Sequence, residues 1–467
     1  MELTTGRPVE ESSAEVLLQK NDKVFPVLGS EVCDMTFEGG EGDLGSHLTE
    51  PPGFHLTTSS PPISPIQPAS NQPRKMAEPY NTPIPGSTPR SGPPVSHLHP
   101  LPLRHPHPHA NDASTTASKP RILHLGDPIR FNKTTHDLLS LNYDIIRPPT
   151  PARQRRAFTQ ALQNRKWGDF EAIFRPSWHS GGEMGDWHDE LIRLLPPSVQ
   201  VFASAGAGFD GVNTRLLGER GIIYCSGGPA CADSVADLAV AMVISTFRHI
   251  PWCINAARCN SPSGFTDCHL NAPAQSHSLG GQTLGIIGLG NIGHRVAARC
   301  RLGFGMTIHY FDVERKAYAV EAQVGATFHD SLESLLGVAD CVVLCAPGPL
   351  GGEAIIDASS LRHFRHGGRL VNVARGALVN EDDLVEALET GRLSSVALDV
   401  HADEPRVHQG LMGFADQGRA MLTCHNGGGT VEAHAGSEEL SMRNVMAVLE
   451  GEEPLSAVNL AYLKKKG

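Results

Sequence analysis

The sequence predicts an α/β protein with two parallel sheets and crossover helices, preceded by a tail without a fold of its own. Three observations predict it. From Lys119 onward, short β-rich runs alternate with helical patterns, which implies parallel strands joined by helices. The alternation occurs twice, on either side of a polar stretch at 253–280. Finally, 19 of the 35 prolines fall within residues 1–119, where apolar periodicity is too sparse to offset the entropy of ordering the chain.

The tail divides by charge. Residues 1–50 carry 11 acidic and 3 basic side chains, and residues 51–119 carry 17 prolines. Disorder is expected throughout 1–119. His97, His99, His105, His107 and His109 could hold a metal weakly, and segments 62–65 and 83–94 could form polyproline II ligands. A solvated low-complexity linker is the plainer reading of both.

At 120–250 the runs PRILHLG, YDIIRP, EAIFRPS, VQVFASAG and IIYCSG read as strands, with HDLLSLN and DELIRLL as helices. A long helical pattern at 230–248 closes this unit. Between 251 and 425 the runs LGIIG, TIHYFD, CVVLC, RLVNV, SVALDV and AMLTC repeat the alternation. A last helical pattern covers 430–450, within the closing segment 426–467.

Composition excludes several classes. A net charge of −11 argues against a nucleic-acid partner or a basic membrane-surface protein. The longest apolar run, 238–244, has seven residues, far short of the roughly 20 of a membrane span. The acidic start MELTTGRPVEESSAE is unlike a basic leader. Ten irregularly spaced cysteines without a CxxC read as buried or free thiols of a reducing compartment, so a cytoplasmic location is expected.

The chemistry enters with TLGIIGLGNIGHRVAARC. Gly288, Gly290 and Gly293 stand in GxGxxG spacing after an apolar run and before a helical one. Such glycines let the strand turn tightly, the backbone approach a pyrophosphate and the helix pack close to the sheet. Asp312 ends TIHYFD, 19 residues past Gly293, where a carboxylate can accept from ribose hydroxyls. It would repel a 2′-phosphate, so NAD(H) is preferred over NADP(H), a preference moderated by Arg315 and Lys316. The expected unit is a Rossmann cofactor-binding domain.

Arg375, Glu404 and His425 each follow a predicted strand end, where open α/β sheets place ligands. Singly they read as a surface cation, a helix-start carboxylate and a loop histidine. Together they fit reduction of a 2-keto acid. Arg375 offers a fixed fork of donors for the carboxylate and carbonyl. His425 can deliver the proton, and Glu404 can orient the imidazole and favour its cation.

These blocks resemble the D-isomer-specific 2-hydroxyacid dehydrogenase family. The resemblance runs from about residue 120 to the C-terminus through GLGNIG, VNVARGALVNEDDLVEALETGRL, ALDVHADEP and CHNGGGT. ASAGAGFDGVN, SVADLAVAMVISTFR and the AVN around Asn459 also match. KWGDFEAIFRP and ASAGAGFD look most like fungal glyoxylate or hydroxypyruvate reductases. The resemblance implies a Rossmann domain at 251–425 inserted into a smaller flavodoxin-like substrate domain of 120–250 plus 426–467, with the two long helices as hinges. It further implies a homodimer and a D-2-hydroxy acid product.

It also implies roles residue by residue. The amides of Ala207 and Gly208 would hold the substrate carboxylate. Asn291 and Ile292 would lie by the pyrophosphate and Pro347 near the adenosine. Val373, Ala374 and Gly428 would flank the cofactor, and Asp399 would bond the nicotinamide carboxamide. Three positions depart from the family pattern. Cys424 replaces a proline before His425, which frees φ and is expected to loosen the loop. Asn380 replaces an aspartate, and Ser226 replaces an asparagine. Glu404, rather than glutamine, argues against the formate-oxidising branch. Two alternatives stand beside the enzyme: a nucleotide-dependent corepressor on the same fold, and a degenerate member with little turnover.

Overall fold

The computed structural model describes residues 119–175, 183–348 and 353–463. The expectations for the tail, its histidines and its polyproline segments fall outside these residues.

The described strands form two parallel sheets. In the first, β1 (Arg121–His124), β2 (Asp144–Ile146), β3 (Ala172–Arg175), β4 (Val201–Ser204) and β5 (Ile223–Ser226) run in the order β2-β1-β3-β4-β5. Every residue of β4 is buried, as expected of a parallel strand covered on both faces. On one face the rings of Trp187, Phe202 and Tyr224 meet edge to face, with centroids 4.8 and 5.3 Å apart. The other face is covered by the helix Val431–Leu449, whose Met442, Val445 and Val448 pack with Ile122, Phe174 and Val201.

Residues 431–459 therefore complete a sheet built from residues 121–226. Glu438, nearly buried on that helix, accepts the N–H groups of Arg130 and Phe131, both at 2.9 Å. Asn459 is fully buried beside β5. Its Oδ1 accepts the Tyr224 N–H at 2.8 Å, and its Nδ2 donates to the carbonyls of Thr214 and Ile222 at 3.0 and 2.9 Å.

The second sheet contains β6 (Thr283–Ile287), β7 (Thr307–Phe311), β8 (Thr327–Phe328), β9 (Cys341–Leu344), β10 (Gly368–Asn372), β11 (Leu393–Leu398) and β12 (Ala420–Leu422). Their order is β12-β11-β10-β9-β6-β7-β8. The order reverses between β6 and β9, and the loops leaving that switch point are where such sheets bind ligands.

The helix Gly228–Arg248 runs against this sheet. Val235, Ala236, Ala239, Met242, Val243 and Phe247 lie in the core shared with β6, β9 and β10. By length and composition this helix could cross a membrane, although no uninterrupted apolar run exceeds seven residues. Its apolar face is instead buried within the protein. Arg369 Nε and Ser395 Oγ tie its end to the sheet by donating to the Thr246 carbonyl at 3.3 and 2.9 Å.

The polar stretch after it is helical, which its composition does not suggest. Ile250–Arg258 and Pro262–Asn271 form a hairpin. Pro251 and Pro262 sit in the first turns, where a missing N–H breaks no helical bond. Ser261 caps the second helix by accepting the Gly264 N–H at 3.4 Å.

Candidate active site

A cavity of about 830 Å³ opens between the C-terminal ends of both sheets. Ala207 and Gly208 reach it from the loop after β4, and Gly290, Asn291 and Ile292 from the loop after β6. Pro347 lines it after β9, and Val373, Ala374 and Arg375 after β10. Asp399 and Glu404 enter after β11, His425 and Gly428 after β12. Of the residues singled out in the sequence, Gly288, Gly293 and Asp312 lie behind this lining rather than in it.

The glycine loop has the shape of an anion cradle. Gly288 has φ +94°, and a Cβ there would meet the backbone N and Cα of Ala346 at 2.8 and 2.9 Å. A Cβ on Gly293 would strike the Gly288 carbonyl, whereas one on Gly290 would meet nothing within 4 Å. Open room therefore lies beside the start of the helix Asn291–Phe304, which no side chain caps. The unsatisfied N–H groups and positive dipole end of that helix suit a pyrophosphate. The residues present fit a dinucleotide.

Asp312 stands behind the loop. Its Oδ2 accepts the Leu289 N–H at 2.9 Å and pairs with Lys316 Nζ at 2.9 Å. Arg315 is drawn aside to Glu321, at 2.9 and 3.1 Å. Only Lys316, of the two cations after Asp312, is thus paired with the carboxylate.

Arg375 bridges the two sheets. Its Nε donates to Asp210 Oδ1 at 2.9 Å and its Nη1 to the Ala374 carbonyl at 2.7 Å. Asp210 follows β4 in the first sheet, whereas Arg375 follows β10 in the second. The guanidinium lies so close to Gly208 that a Cβ there would overlap it.

His425 is held at its ring and at its backbone. Its Nδ1 lies 2.8 Å from Glu404 Oε2, and its N–H donates to the Asp399 carbonyl at 2.7 Å. Its φ of +54° is a left-handed conformation that a side chain adopts only under surrounding constraint. That constraint is Asp399, 2% exposed. Its Oδ1 accepts from Thr423 Oγ1 at 2.6 Å and the Asn426 N–H at 2.8 Å, and its Oδ2 accepts the Gly427 N–H at 2.8 Å. The loosening expected from Cys424 therefore has a counterweight: the loop hangs on a buried carboxylate.

Glu404 is positioned in turn. Its Oε1 accepts the His401 N–H at 3.0 Å. Partial burial pushes its carboxyl up, but the hydrogen bonds from His425 and His401 outweigh this and hold it below the ordinary value. Buried Glu381 accepts the Ala402 N–H at 3.1 Å and supports the same loop. Asn380 caps the helix Glu381–Glu389 by accepting the Asp382 and Asp383 N–H groups at 3.1 and 3.3 Å. Asparagine serves this position as well as aspartate does. Ser226 lines the cavity and accepts the Gly228 N–H at 3.3 Å.

Sequence reasoning passed over Asp210, Glu381 and the loop-holding role of Asp399. Asp210 had a visible signal, an acid directly after the glycine-rich AGAGF.

Comparison with known proteins agrees with the geometry. The model of the D-isomer specific 2-hydroxyacid dehydrogenase NAD binding domain matches residues 240–427. A glyoxylate reductase of Thermococcus kodakarensis is 32% identical over 276 residues, 59% of this chain and 81% of that protein. The 4-methyl-2-oxopentanoate reductase A of Aspergillus oryzae is 29% identical over 331 residues, 71% of this chain and 95% of the relative. The holo crystal structure of Rhodotorula graminis D-mandelate dehydrogenase matches with a TM-score of 0.69 and 34% identity, covering 73% of this chain and 98% of the other. The chain belongs to the D-isomer-specific 2-hydroxyacid dehydrogenase family, oxidoreductases that act on CH–OH donors with NAD(H).

Proposed function

We propose that the protein reduces a small 2-oxo acid of the glyoxylate or hydroxypyruvate type to its D-2-hydroxy acid, with Arg375 and His425 as the groups that touch the substrate. The observation that carries this reading is the meeting of Arg375 with the Glu404–His425 pair beside the glycine-loop cradle in one cavity.

The amides of Asn291 and Ile292 would hold the pyrophosphate, Asp312 the adenosine ribose, and Pro347 the adenosine side. Val373, Ala374, Asp399 and Gly428 would border the nicotinamide. Bound NAD(H) supplies or accepts the hydride. The protein's own residues do the rest. The amides of Ala207 and Gly208 hold the substrate carboxylate, and the Arg375 guanidinium polarises the carbonyl. His425 gives a proton from Nε2 to the carbonyl oxygen as negative charge develops there, and takes it back in the oxidative direction. Glu404, on Nδ1, fixes the tautomer and stabilises the imidazolium. Closure of the two sheets around the cleft would exclude water. A cytoplasmic homodimer is the accompanying expectation.

A second reading of the substrate side chain has its own support. Phe209, Val235, Cys231 and Val458 give the cleft an apolar wall, and relatives named for mandelate and 4-methyl-2-oxopentanoate act on bulkier acids. NADH oxidation with glyoxylate, hydroxypyruvate, phenylglyoxylate and 4-methyl-2-oxopentanoate ranks the two by kcat/KM. Preference for the last two acids would replace the first reading. Tight NADH binding without turnover on any 2-oxo acid would overturn both and revive the corepressor.

A further inference from the structure

Outside the cleft, the helical hairpin after the central helix brings two cysteines together. Cys253 lies on Ile250–Arg258 and Cys268 on Pro262–Asn271, with their sulfurs 3.9 Å apart. We propose that Cys253 and Cys268 form a reversible disulfide by exchange with a low-molecular-weight disulfide, stapling this hairpin.

The geometry is close to what the bond requires. An S–S bond is about 2.05 Å long, so each sulfur has about 1 Å to travel, and the exposed half of the pair can move. The two thiols also differ as an exchange pair should. Cys253 is exposed, and Cys268 is buried at 6% exposure. Burial, helped by the adjacent Cys253, pushes the Cys268 thiol up, and that thiol donates to the Cys253 sulfur. By contrast, burial raises Cys225, Cys300, Cys341 and Cys345 to about 12, which keeps them protonated and inert at neutral pH.

The chemistry balances without another reactant. The Cys253 thiolate attacks one sulfur of R–S–S–R, forming Cys253–S–S–R and expelling RS⁻. The Cys268 sulfur then attacks the Cys253 sulfur, breaking that mixed bond and expelling a second RS⁻. Two protein thiols are oxidised, one external disulfide is reduced to two thiols, and the released protons end on those thiols.

The staple would act where the hairpin's own packing is small. The hairpin's own core holds only Ala256, Cys268 and Ala272, with Trp252 packed against them. Asn255 Nδ2, donating to the Ala415 carbonyl at 3.2 Å, helps join it to the second sheet's side. A bond across residues 253–268 would hold the two helices together through any local opening.

The test uses the full chain equilibrated in mixtures of reduced and oxidised glutathione, quenched and mapped by peptide mass spectrometry. A Cys253–Cys268 cross-link is expected, with an intact mass lower by two hydrogens and reversal by excess reduced glutathione. The oxidised protein should resist proteolysis within 250–272 and melt several degrees higher. Cys253→Ser should abolish the effect, and Cys268→Ala should trap glutathione on Cys253. Glutathione persisting on Cys253 of the unsubstituted chain, a bond from Cys253 to Cys33, Cys259 or Cys424, or unchanged thiol content under oxidising mixtures would each overturn the proposal.

Discussion

Gly208 offers a way to move the Arg375 guanidinium without touching any charge. A Cβ at this position would occupy the space of the guanidinium, 2.9 Å from whose Nε lies Asp210 Oδ1. In Gly208→Ala the arginine must swing out of its bridge, because the obstacle is a flexible side chain rather than backbone. The fold should hold, and the N–H of residue 208 remains in place. On the proposed role of Arg375, what should be lost is its charge-assisted contact with the substrate, about 1.5–3 kcal/mol. That corresponds to roughly a 10- to 150-fold fall in kcat/KM. Stopped-flow NADH binding and steady-state 2-oxo acid reduction separate the two sites. Unchanged NADH affinity, unchanged Tm and a large loss in kcat/KM are expected. A kcat/KM within about twofold of the unsubstituted protein would show that the guanidinium tolerates displacement. An equal loss of NADH affinity would place Arg375 in the cofactor site instead.

Asp312→Ala should narrow the kcat/KM preference for NADH over NADPH by about tenfold, or about 1.4 kcal/mol, since Lys316 is released toward a 2′-phosphate; an unchanged ratio would remove Asp312 from the ribose. Glu404→Gln should lower kcat about 10- to 100-fold by leaving His425 without its anionic partner, with NADH affinity retained. The Glu404 carboxyl is held below its ordinary value, so its stabilising contribution is complete above about pH 4.5 and is lost as pH falls through the depressed value. The Gln variant should therefore lack that portion of acid destabilisation, and parallel pH-stability curves would refute the pairing. Cys424→Pro should leave kcat nearly unchanged, because Asp399 already fixes the histidine loop; a large gain would show that the loop is loose. Asn459→Ala should cost about 2–3 kcal/mol by stripping partners from the buried backbone groups of Tyr224 and Ile222 and the part-buried carbonyl of Thr214, read as a lower denaturation midpoint.

The strands were legible because parallel strands buried on both faces are short apolar runs between turn residues. Two-residue β8 escaped, since Thr327–Phe328 at a sheet edge carries no period. The hairpin at 250–271 escaped for a different reason: its helices bury so little that apolar spacing never marks them, and their prolines sit where they start helices rather than break them. The cleft was legible wherever a chemical group follows a strand end, as with Arg375, Glu404 and His425. The ion pair of Asp210 with Arg375 and the hold of Asp399 on the histidine loop were not, because those roles depend on separate loops meeting. Asn380 and Cys424 looked like departures in one dimension. The first is a helix cap, and the loop beside the second is secured elsewhere.

The Asn459 side chain has a consequence for synthesis. As the chain leaves the ribosome, β1 to β5 emerge before the second sheet, yet β5 receives its last hydrogen-bond partner only when Asn459 appears. At about 5–20 residues per second, the 233 positions between Ser226 and Asn459 take roughly 10–50 s to translate. The second sheet, continuous in the chain, can assemble during that interval. A nascent first sheet must wait with one apolar face uncovered, open to chaperones until the helix Val431–Leu449 arrives.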